Sequence, residues 1–346
     1  MLILLALLAC EGDEPPERDP TDQGIQDYRE LKNLLDTHLV EIATGTSTSL
    51  DPYGWEGRLH VLDRSSGPVN LSSLDVATDV WTECGAIVGS VVVNFEGSST
   101  HIAHSEQSNG DVHFYEIEPD CAEVALIDLP QAPGLGRWPY AVEGSEFYWI
   151  DEEPLELIKW DGSMTSLGVL DDLGLTSVAW FRKRGNHLAI SDGSDVHHLD
   201  LQGGSEFTGH ASQFDGSLSM GDSGFVFRDR DAINWYSYSE GLRDLTNELN
   251  FASYAVNTVY QTAHHPHSDG YAVLLNDWVV YRGVDGIFAY DLVTGTIEPL
   301  ALNEYDTNQK YTQVEVAGGA VFVLSYFDFD TTLYRIDNPV LQTSRR

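Results

Sequence analysis

A five-residue pattern recurs seven times along this chain, and it constrains the fold more than any other feature of the sequence. In each copy an apolar residue is followed by two variable residues, a bulky apolar residue and, in most copies, an acid. The copies are LHVLD ending at Asp63, FYEIE at Glu118, LIKWD at Asp161, VHHLD at Asp200, INWYS at Ser237, IFAYD at Asp291 and LYRID at Asp337. Successive copies are 55, 43, 39, 37, 54 and 46 residues apart, so the chain is built from similar units of roughly equal length.

Further short strands flank each copy of the pattern. Most copies are preceded by another apolar strand, such as EFYWI or GFVFR, across a tight polar loop, and are followed by a turn and one more strand. About four short strands in about 45 residues are typical of one blade of a β-propeller. A two-sheet sandwich is the alternative, but a sandwich does not need seven similar units. The sequence therefore predicts an all-β propeller of seven blades, with six or eight as the other possibilities.

The ends of the repeat region predict how the ring closes. The final unit offers three strands before the chain ends, and an early strand at Leu39–Ala43 would supply the missing fourth. Such closure removes two exposed sheet edges, which otherwise invite aggregation. We therefore place the propeller at residues 38–340, followed by a tail at 341–346. A short helix is expected at 25–37, where apolar residues recur at helical spacing.

The rhythm of the repeats resembles that of a broad group of bacterial propellers that includes the TolB C-terminal domain and YncE-like proteins. The resemblance covers roughly residues 39–337 and contains no diagnostic motif of either family. It implies the propeller fold and no functional residues.

The N-terminus predicts export and a lipid anchor. Residues 1–9 are an apolar run that is too short to span a bilayer and has the length of the apolar segment of a signal peptide. Leu7-Leu8-Ala9-Cys10 resembles the lipobox of bacterial lipoproteins, which implies acylation of Cys10 and cleavage just before it. No lysine or arginine precedes the run, which departs from that family, and an ordinary signal peptide with an accidental cysteine is the alternative. Residues 10–24 are acidic and rich in proline, and we expect a disordered tether there.

The charge of the chain limits its partners. Its 18 basic and 55 acidic residues give a formal net charge of 18 − 55 = −37. Such a surface repels phosphate backbones and anionic lipids, so nucleic acid is a poor partner and membrane contact is expected only through the N-terminal lipid. The expected location is the cell envelope, facing the periplasm or the outside.

Two further cysteines lie inside the repeat region. Cys84 and Cys121 bracket the second repeat, and an exported protein would favour a disulfide between them, within one blade. Two free thiols are the alternative.

Two sets of residues are candidate metal ligands. The first is the run that contains His264, His265, His267 and Asp269, whose side chains suit zinc. The second is formed by the paired carboxylates of the loops between middle strands, Asp328 and Asp330 among them, which suit calcium. Solvated loops are the alternative and favoured interpretation, since aspartate is a standard turn residue. In a propeller both sets would share one face.

Two other patterns have structural explanations. Gly221-Asp222-Ser223-Gly224 matches the nucleophile motif of trypsin-like proteases, but the faint histidine motif at 262–264 follows it instead of preceding it. The motif is better explained as the turn into the strand GFVFR. Five tryptophans fall in predicted strands and are expected to pack between blades, with a sugar-binding platform as the alternative. They are Trp149, Trp160, Trp180, Trp235 and Trp278.

Taken together, these features favour a lipid-anchored binding or scaffold propeller whose ligand is a protein or another envelope component. A propeller enzyme, a hydrolase or lyase using the acidic and histidine residues of one face, is the second hypothesis. A calcium-stabilised structural protein is the third.

Overall fold

A computed structural model shows that the protein is a seven-bladed β-propeller, which confirms the predicted fold class. The structure describes residues 22–342 except for 47–49, 66–67, 88–91, 107–110, 119, 128–138, 153, 171–174, 176, 203–205, 211–213, 230–231, 252, 255–270, 305–306, 308 and 329. Residues 10–21 of the predicted tether, Cys10 among them, lie outside these residues, as does the run from His264 to Asp269. The last three tether residues, 22–24, are the first residues of a helix, which therefore begins three residues before the predicted start at 25. No helix in the described part of the chain is long and apolar enough to cross a membrane.

The chain enters the ring through a helix and a closing strand and then builds the blades in order. The entry elements are α1 (Asp22–Asp36) and β1 (Leu39–Thr46). Blade 1 contains β2 (Leu50–Trp55), β3 (Arg58–Asp63), β4 (Asn70–Asp75) and β5 (Val80–Ala86). Blade 2 contains β6 (Val92–Gly97), β7 (His101–Glu106), β8 (Val112–Glu116) and β9 (Glu123–Ile127). Blade 3 contains β10 (Tyr140–Glu143), β11 (Glu146–Glu152), β12 (Leu155–Trp160) and β13 (Met164–Val169).

The remaining blades follow the same plan. Blade 4 contains β14 (Trp180–Arg184), β15 (His187–Ser191), β16 (Asp195–Asp200) and β17 (Glu206–His210). Blade 5 contains β18 (Phe214–Met220), β19 (Gly224–Asp229), β20 (Ala232–Ser237) and β21 (Gly241–Asp244). After α2 (Thr246–Phe251) and β22 (Ser253–Tyr254), blade 6 contains β23 (Ala272–Leu275), β24 (Trp278–Arg282), β25 (Gly286–Asp291) and β26 (Thr296–Leu302). Blade 7 contains β27 (Lys310–Ala317), β28 (Ala320–Phe327) and β29 (Asp330–Ile336), and α3 (Pro339–Gln342) follows.

The ring is closed by the start of the chain. β1 pairs antiparallel with β29, with Leu39 opposite Ile336, and becomes the outer strand of blade 7. This is the closing strand that the sequence predicts. In the other six blades the four strands pair in chain order, and in blade 6 the short β22 adds a parallel fifth strand beside β26. Closure ties the two ends of the propeller together and makes the ring one structural unit.

The repeated pattern marks the third strand of each blade, with one correction. In blade 1 the copy ending at Asp63 lies on β3, the second strand, whereas the third strand β4 ends in LSSLD at Asp75. Counted from Asp75, the first interval is 118 − 75 = 43 residues, which agrees with the two that follow. The sequence prediction was wrong here because β3 and β4 both carry the pattern, and only strand pairing distinguishes them.

The acid that ends the pattern has a structural role in the turn that follows it. The Asp75 carboxylate accepts hydrogen bonds from the backbone N–H groups of Ala77 (3.0 Å) and Thr78 (3.1 Å). Asp291 accepts from Val293 (2.8 Å) and Thr294 in the same way. An aspartate at this position closes the turn to the fourth strand by satisfying backbone donors that would otherwise lack partners. Hydrogen bonding to the turn backbone therefore explains why an acid ends the pattern, without a metal ion.

The core lies between neighbouring blades and is rich in aromatic side chains. Among the five tryptophans predicted to pack there, Trp149 and Trp235 are buried, and the other three are half-buried against apolar clusters. Helix α1 docks on blade 6 through Tyr28, Leu31 and Leu35, and the Tyr28 hydroxyl donates to the carbonyl oxygen of Asn303 (2.8 Å). The predicted helix is therefore part of the folded unit.

Cys84 and Cys121 are joined in a disulfide, with their Cα atoms 5.2 Å apart. Cys84 lies in β5, the outer strand of blade 1, and Cys121 lies just before β9, the outer strand of blade 2. The bond therefore links two neighbouring blades, and the expectation that it would lie within one blade was wrong. It closes a 37-residue loop at the rim of the ring, a length for which chain entropy gives about 4 kcal/mol of stabilisation.

Candidate functional site

The first strands of the seven blades surround a central channel that contains a cavity of about 690 Å³. This volume lies in the range of small-molecule sites. The turn between the first and second strands contributes lining residues in several blades, among them Glu56, Ser98, Ser223, Asp277 and Gly319. The cavity therefore opens on the face that carries these turns, which we call the 1–2 face. The opposite face, which carries the turns between second and third strands, is the 2–3 face.

Three consecutive basic residues of β14 line the cavity, and each forms an ion pair with an acid of another blade. Arg182 pairs with Glu96 and Lys183 pairs with Glu143. Arg184 pairs with Asp222 across 2.8 Å. These pairs link blade 4 to blades 2, 3 and 5 around the channel. They also neutralise every cation that lines the cavity in the described part of the chain.

Acids outnumber bases along the cavity. Seven carboxylates line it, against the three cations of β14, which gives a formal balance of 3 − 7 = −4. The seven are Asp51, Glu56, Glu96, Glu143, Asp222, Asp277 and Glu315. Asp51 also has a partner, since Arg64 lies 3.0 Å from its carboxylate. The cavity is therefore polar and negative.

Glu315 lies deep in this cavity, on the first strand of blade 7. Its carboxylate accepts hydrogen bonds from the Gly54 N–H (3.2 Å) and from the Gln313 side-chain amide (3.1 Å). Burial raises the pKa of Glu315 to about 7, while the Arg182 charge acts in the opposite direction. A carboxyl group with this pKa changes its charge near neutral pH, which is the range where a binding or proton-accepting group is most useful.

An aromatic wall adjoins the carboxylates. The rings of Tyr53 and Trp55 are stacked, with centroids 5.7 Å apart and an interplanar angle of 9°, and Phe95 packs against both. Tyr53 and Trp55 line the cavity and are half-buried. Burial raises the pKa of the Tyr53 hydroxyl, so it stays protonated at neutral pH. The cavity thus offers both charged and flat apolar surfaces.

Of the predicted metal ligands, the structure describes Asp328 and Asp330, whereas His264, His265, His267 and Asp269 lie outside the described residues. Asp328 and Asp330 are both exposed, at a turn of the 2–3 face. The described residues hold one cluster of metal-ligand type, Asp192, Asp195 and His197, whose ligand atoms lie within 4.8 Å of one another. The Asp192 carboxylate already accepts from the backbone N–H groups of Ser194 and Asp195 (both 2.8 Å), as a turn residue does. Turn closure explains its position without an ion.

The channel residues were not among the candidates from the sequence. The acidic loops singled out in the sequence belong to the 2–3 face, whereas the cavity opens on the 1–2 face. One signal was present: Gln313 and Glu315 are polar residues at alternate positions of β27, a strand that is otherwise largely apolar. A period of two in a central strand indicates that one row of side chains faces a polar space.

Comparisons with known proteins identify the fold. No protein-family model matches the chain, and no curated protein is significantly similar to it in sequence. Several solved structures are similar to this chain in fold. A catalytically inactive virginiamycin B lyase from Staphylococcus aureus with quinupristin has a TM-score of 0.52 and 12% identity, over 86% of this chain and 98% of that one. An oligogalacturonate lyase in complex with manganese has a TM-score of 0.50 and 12% identity, over 88% and 98%.

A third similar structure is a chain of the mitotic checkpoint complex. It has a TM-score of 0.55 and 11% identity, over 98% of this chain and 99% of that one. At such identities these likenesses show the fold alone. The protein is a β-propeller, and the same fold occurs both in lyases and in a protein assembly.

Proposed function

We propose that this protein is a lipid-anchored, extracytoplasmic binding protein that takes up a small envelope ligand in its central channel. The anchor is Cys10, and the acidic segment that ends where α1 begins, at residue 22, separates it from the folded unit. The observation that carries the binding role is the cavity of about 690 Å³, with its mixture of carboxylates, ion pairs and aromatic rings. A few polar groups that converge on a concave space are the usual signature of a ligand site.

An enzyme, a hydrolase or lyase, is the second candidate. The observation that favours it is Glu315, because a carboxyl group with a pKa of about 7 can accept a proton from a bound substrate at neutral pH. Two of the structurally similar proteins are lyases. Binding is preferred because every cation lining the described part of the cavity is held in an ion pair, which makes these groups structural.

Replacing Cys10 with serine is expected to move the protein from the membrane fraction to the soluble fraction. Serine cannot form the thioether to lipid, and each acyl methylene buried in a bilayer contributes about 0.8 kcal/mol to anchoring. The measurement is fractionation of cells that express the wild type or C10S, with metabolic labelling by a fatty-acid analogue. A C10S protein that stays in the membrane fraction would rule out the lipid anchor.

Ser223→Trp is expected to abolish ligand capture, because Ser223 is an exposed residue at the mouth of the cavity and an indole there blocks entry. The protein is purified from its own cell envelope and denatured, and the released small molecules are identified by mass spectrometry. Ala77→Trp is the matched control, since Ala77 is an exposed turn residue between a third and a fourth strand, on the same face but outside the cavity. We expect a molecule that is released from the wild type and A77W but not from S223W.

Equal release from all three proteins would contradict a channel site. The same samples separate binding from catalysis. A binding protein returns the captured molecule unchanged after incubation, whereas a hydrolase or lyase converts it, and Glu315→Gln then slows the conversion.

A further inference from the structure

The carboxylates of the channel lie at successive depths below its mouth. Glu56 and Asp277 belong to turns of the 1–2 face, and Glu315 lies two residues before the end of β27. Asp51 is deeper still, four residues before the end of β2, which is about 13 Å of extended strand. Negative charge is therefore distributed along the axis of the channel instead of at one point.

Three of these acids have no ion-pair partner in the described part of the chain. Every basic residue of the lining is paired with Glu96, Glu143 or Asp222, and Asp51 is paired with Arg64. Glu56, Asp277 and Glu315 therefore lack a salt bridge, two of them exposed at the mouth and one inside, where Arg182 acts on Glu315 without forming a salt bridge to it. The lining keeps an excess of negative charge, so an incoming cation would find favourable positions at both depths.

Arg182 shows what kind of group the interior accepts. Its guanidinium lies in the channel, pairs with Glu96 and is attracted by the Glu315 carboxylate. Burial lowers the pKa of Arg182 to about 10, so it remains a cation at neutral pH. The interior thus already holds one organic cation, which is part of the chain itself. The stacked rings of Tyr53 and Trp55 beside it offer faces that attract a second one.

We propose that the channel binds a small elongated organic cation that carries at least two amino groups. One ammonium group would lie against Glu315 and the Tyr53–Trp55 wall, and another would lie between Glu56 and Asp277 at the mouth. This inference rests on the proposed channel site and specifies the chemical class of its ligand.

The position of Glu315 gives this binding a pH dependence. The groups that face Glu315 are Arg182, Asp51, Tyr53, the Gln313 amide and the Gly54 N–H, and burial raises its pKa to about 7. An aliphatic ammonium group stays charged well above neutral pH, whereas Glu315 changes its charge around its pKa of about 7. Binding of the cation requires the ionised carboxylate and releases its proton. The affinity therefore rises with pH over this range.

The test is calorimetric titration of the dialysed, full-length protein with spermidine, at an ionic strength fixed with sodium chloride. We expect binding to the wild type that strengthens as the pH is raised. Glu315→Gln should weaken binding about tenfold at the upper pH, the loss of one charge-assisted contact, and remove most of the pH dependence. Asp277→Asn at the mouth should weaken binding by a smaller factor.

Glu83→Gln is the matched control, because it removes one exposed carboxylate from β5 at the rim of the ring, far from the channel. It should leave spermidine binding unchanged. The proposal is overturned if E83Q and E315Q weaken binding equally, or if magnesium chloride at equal ionic strength competes fully, since either result means attraction by net charge alone. If spermidine does not bind while Ser223→Trp still abolishes capture of the native molecule, the channel site stands and the amine chemistry is wrong.

Discussion

Acidification from about pH 7 to pH 5 is expected to destabilise the propeller by about 4 kcal/mol, because three buried histidines cannot readily accept a proton. Burial lowers the pKa of His60 to about 4, of His104 to about 3 and of His198 to about 4. In each ring one nitrogen has a partner: the Ser98 carbonyl, the Tyr115 hydroxyl and the His187 ring, respectively. The Nδ1 atom of each has no partner in the described structure, so protonation would leave a buried N–H without an acceptor.

The sign of the effect follows from the direction of these pKa shifts. The unfolded chain takes up protons near the ordinary histidine pKa, about 6.5, whereas the folded protein takes them up only at lower pH, so stability falls as the pH drops between these values. Each histidine contributes a loss of about 2 kcal/mol over this interval. Glu315 acts in the opposite direction, because its raised pKa makes protonation favour the folded state. Its contribution offsets the loss of unfolding free energy from about one histidine.

Urea denaturation across this pH range measures the effect. The variant His104→Gln should lose about 2 kcal/mol less unfolding free energy than the wild type on acidification, because a glutamine side chain is not protonated in this pH range. At about pH 8 the imidazoles are neutral, so a difference in unfolding free energy between the two proteins at that pH reports the change in packing alone. A stability that does not change with pH, or an identical pH dependence in both proteins, would show that the buried histidines are not responsible.

Gly54→Ala is expected to destabilise the protein by about 3 kcal/mol or more, because a Cβ atom at this position has no space. It would lie 2.2 Å from the carbonyl oxygen of Val316 and 2.7 Å from its carbonyl carbon. These are backbone atoms of β27, so the clash can be relieved only if β2 and β27 move apart. Rotation of a side chain would not remove it. The same separation would lengthen the hydrogen bond from the Gly54 N–H to Glu315.

Gly57→Ala is the matched control for this prediction. Gly57 lies three residues further along, in the turn after β2, and a Cβ atom there meets nothing within 4 Å. We expect G57A to unfold like the wild type in thermal and urea denaturation. Equal stability of G54A and G57A would mean that blades 1 and 7 can separate at the channel without cost, which would contradict the close packing described here.

The fold was largely predictable from the sequence because local chemistry specifies each blade. Apolar strands alternate with turn residues, and the aspartate after the third strand is required by the turn itself, as Asp75 and Asp291 show. The first repeat was assigned one strand too early, since LHVLD and LSSLD satisfy the same pattern. The disulfide partner of Cys84 was predictable from the sequence. That the bond joins two blades was not, because the assignment of each cysteine to a blade depends on exact strand boundaries.

The candidate site was much less predictable, because a central channel is assembled from one strand of every blade. The residues that meet there, such as Glu96, Arg182 and Glu315, are distant in sequence and share no spacing. Which side of a first strand faces the axis depends on packing between blades, and the alternation of Gln313 and Glu315 in β27 is a weak local sign of it. Carboxylates that lie close together in sequence are easier to recognise, but Asp192 shows that such acids can accept hydrogen bonds from the backbone of a turn.

The most direct test of the channel as the ligand site is a crystal structure of the protein purified from its own cell envelope without dialysis. We expect non-protein density inside the ring, in contact with Glu315 and reaching towards the mouth at Glu56 and Asp277. We also expect this density to be absent from crystals of the Ser223→Trp variant. A channel filled by water alone, with a ligand or ion bound instead at the turns of the 2–3 face, would rule out the channel as the ligand site.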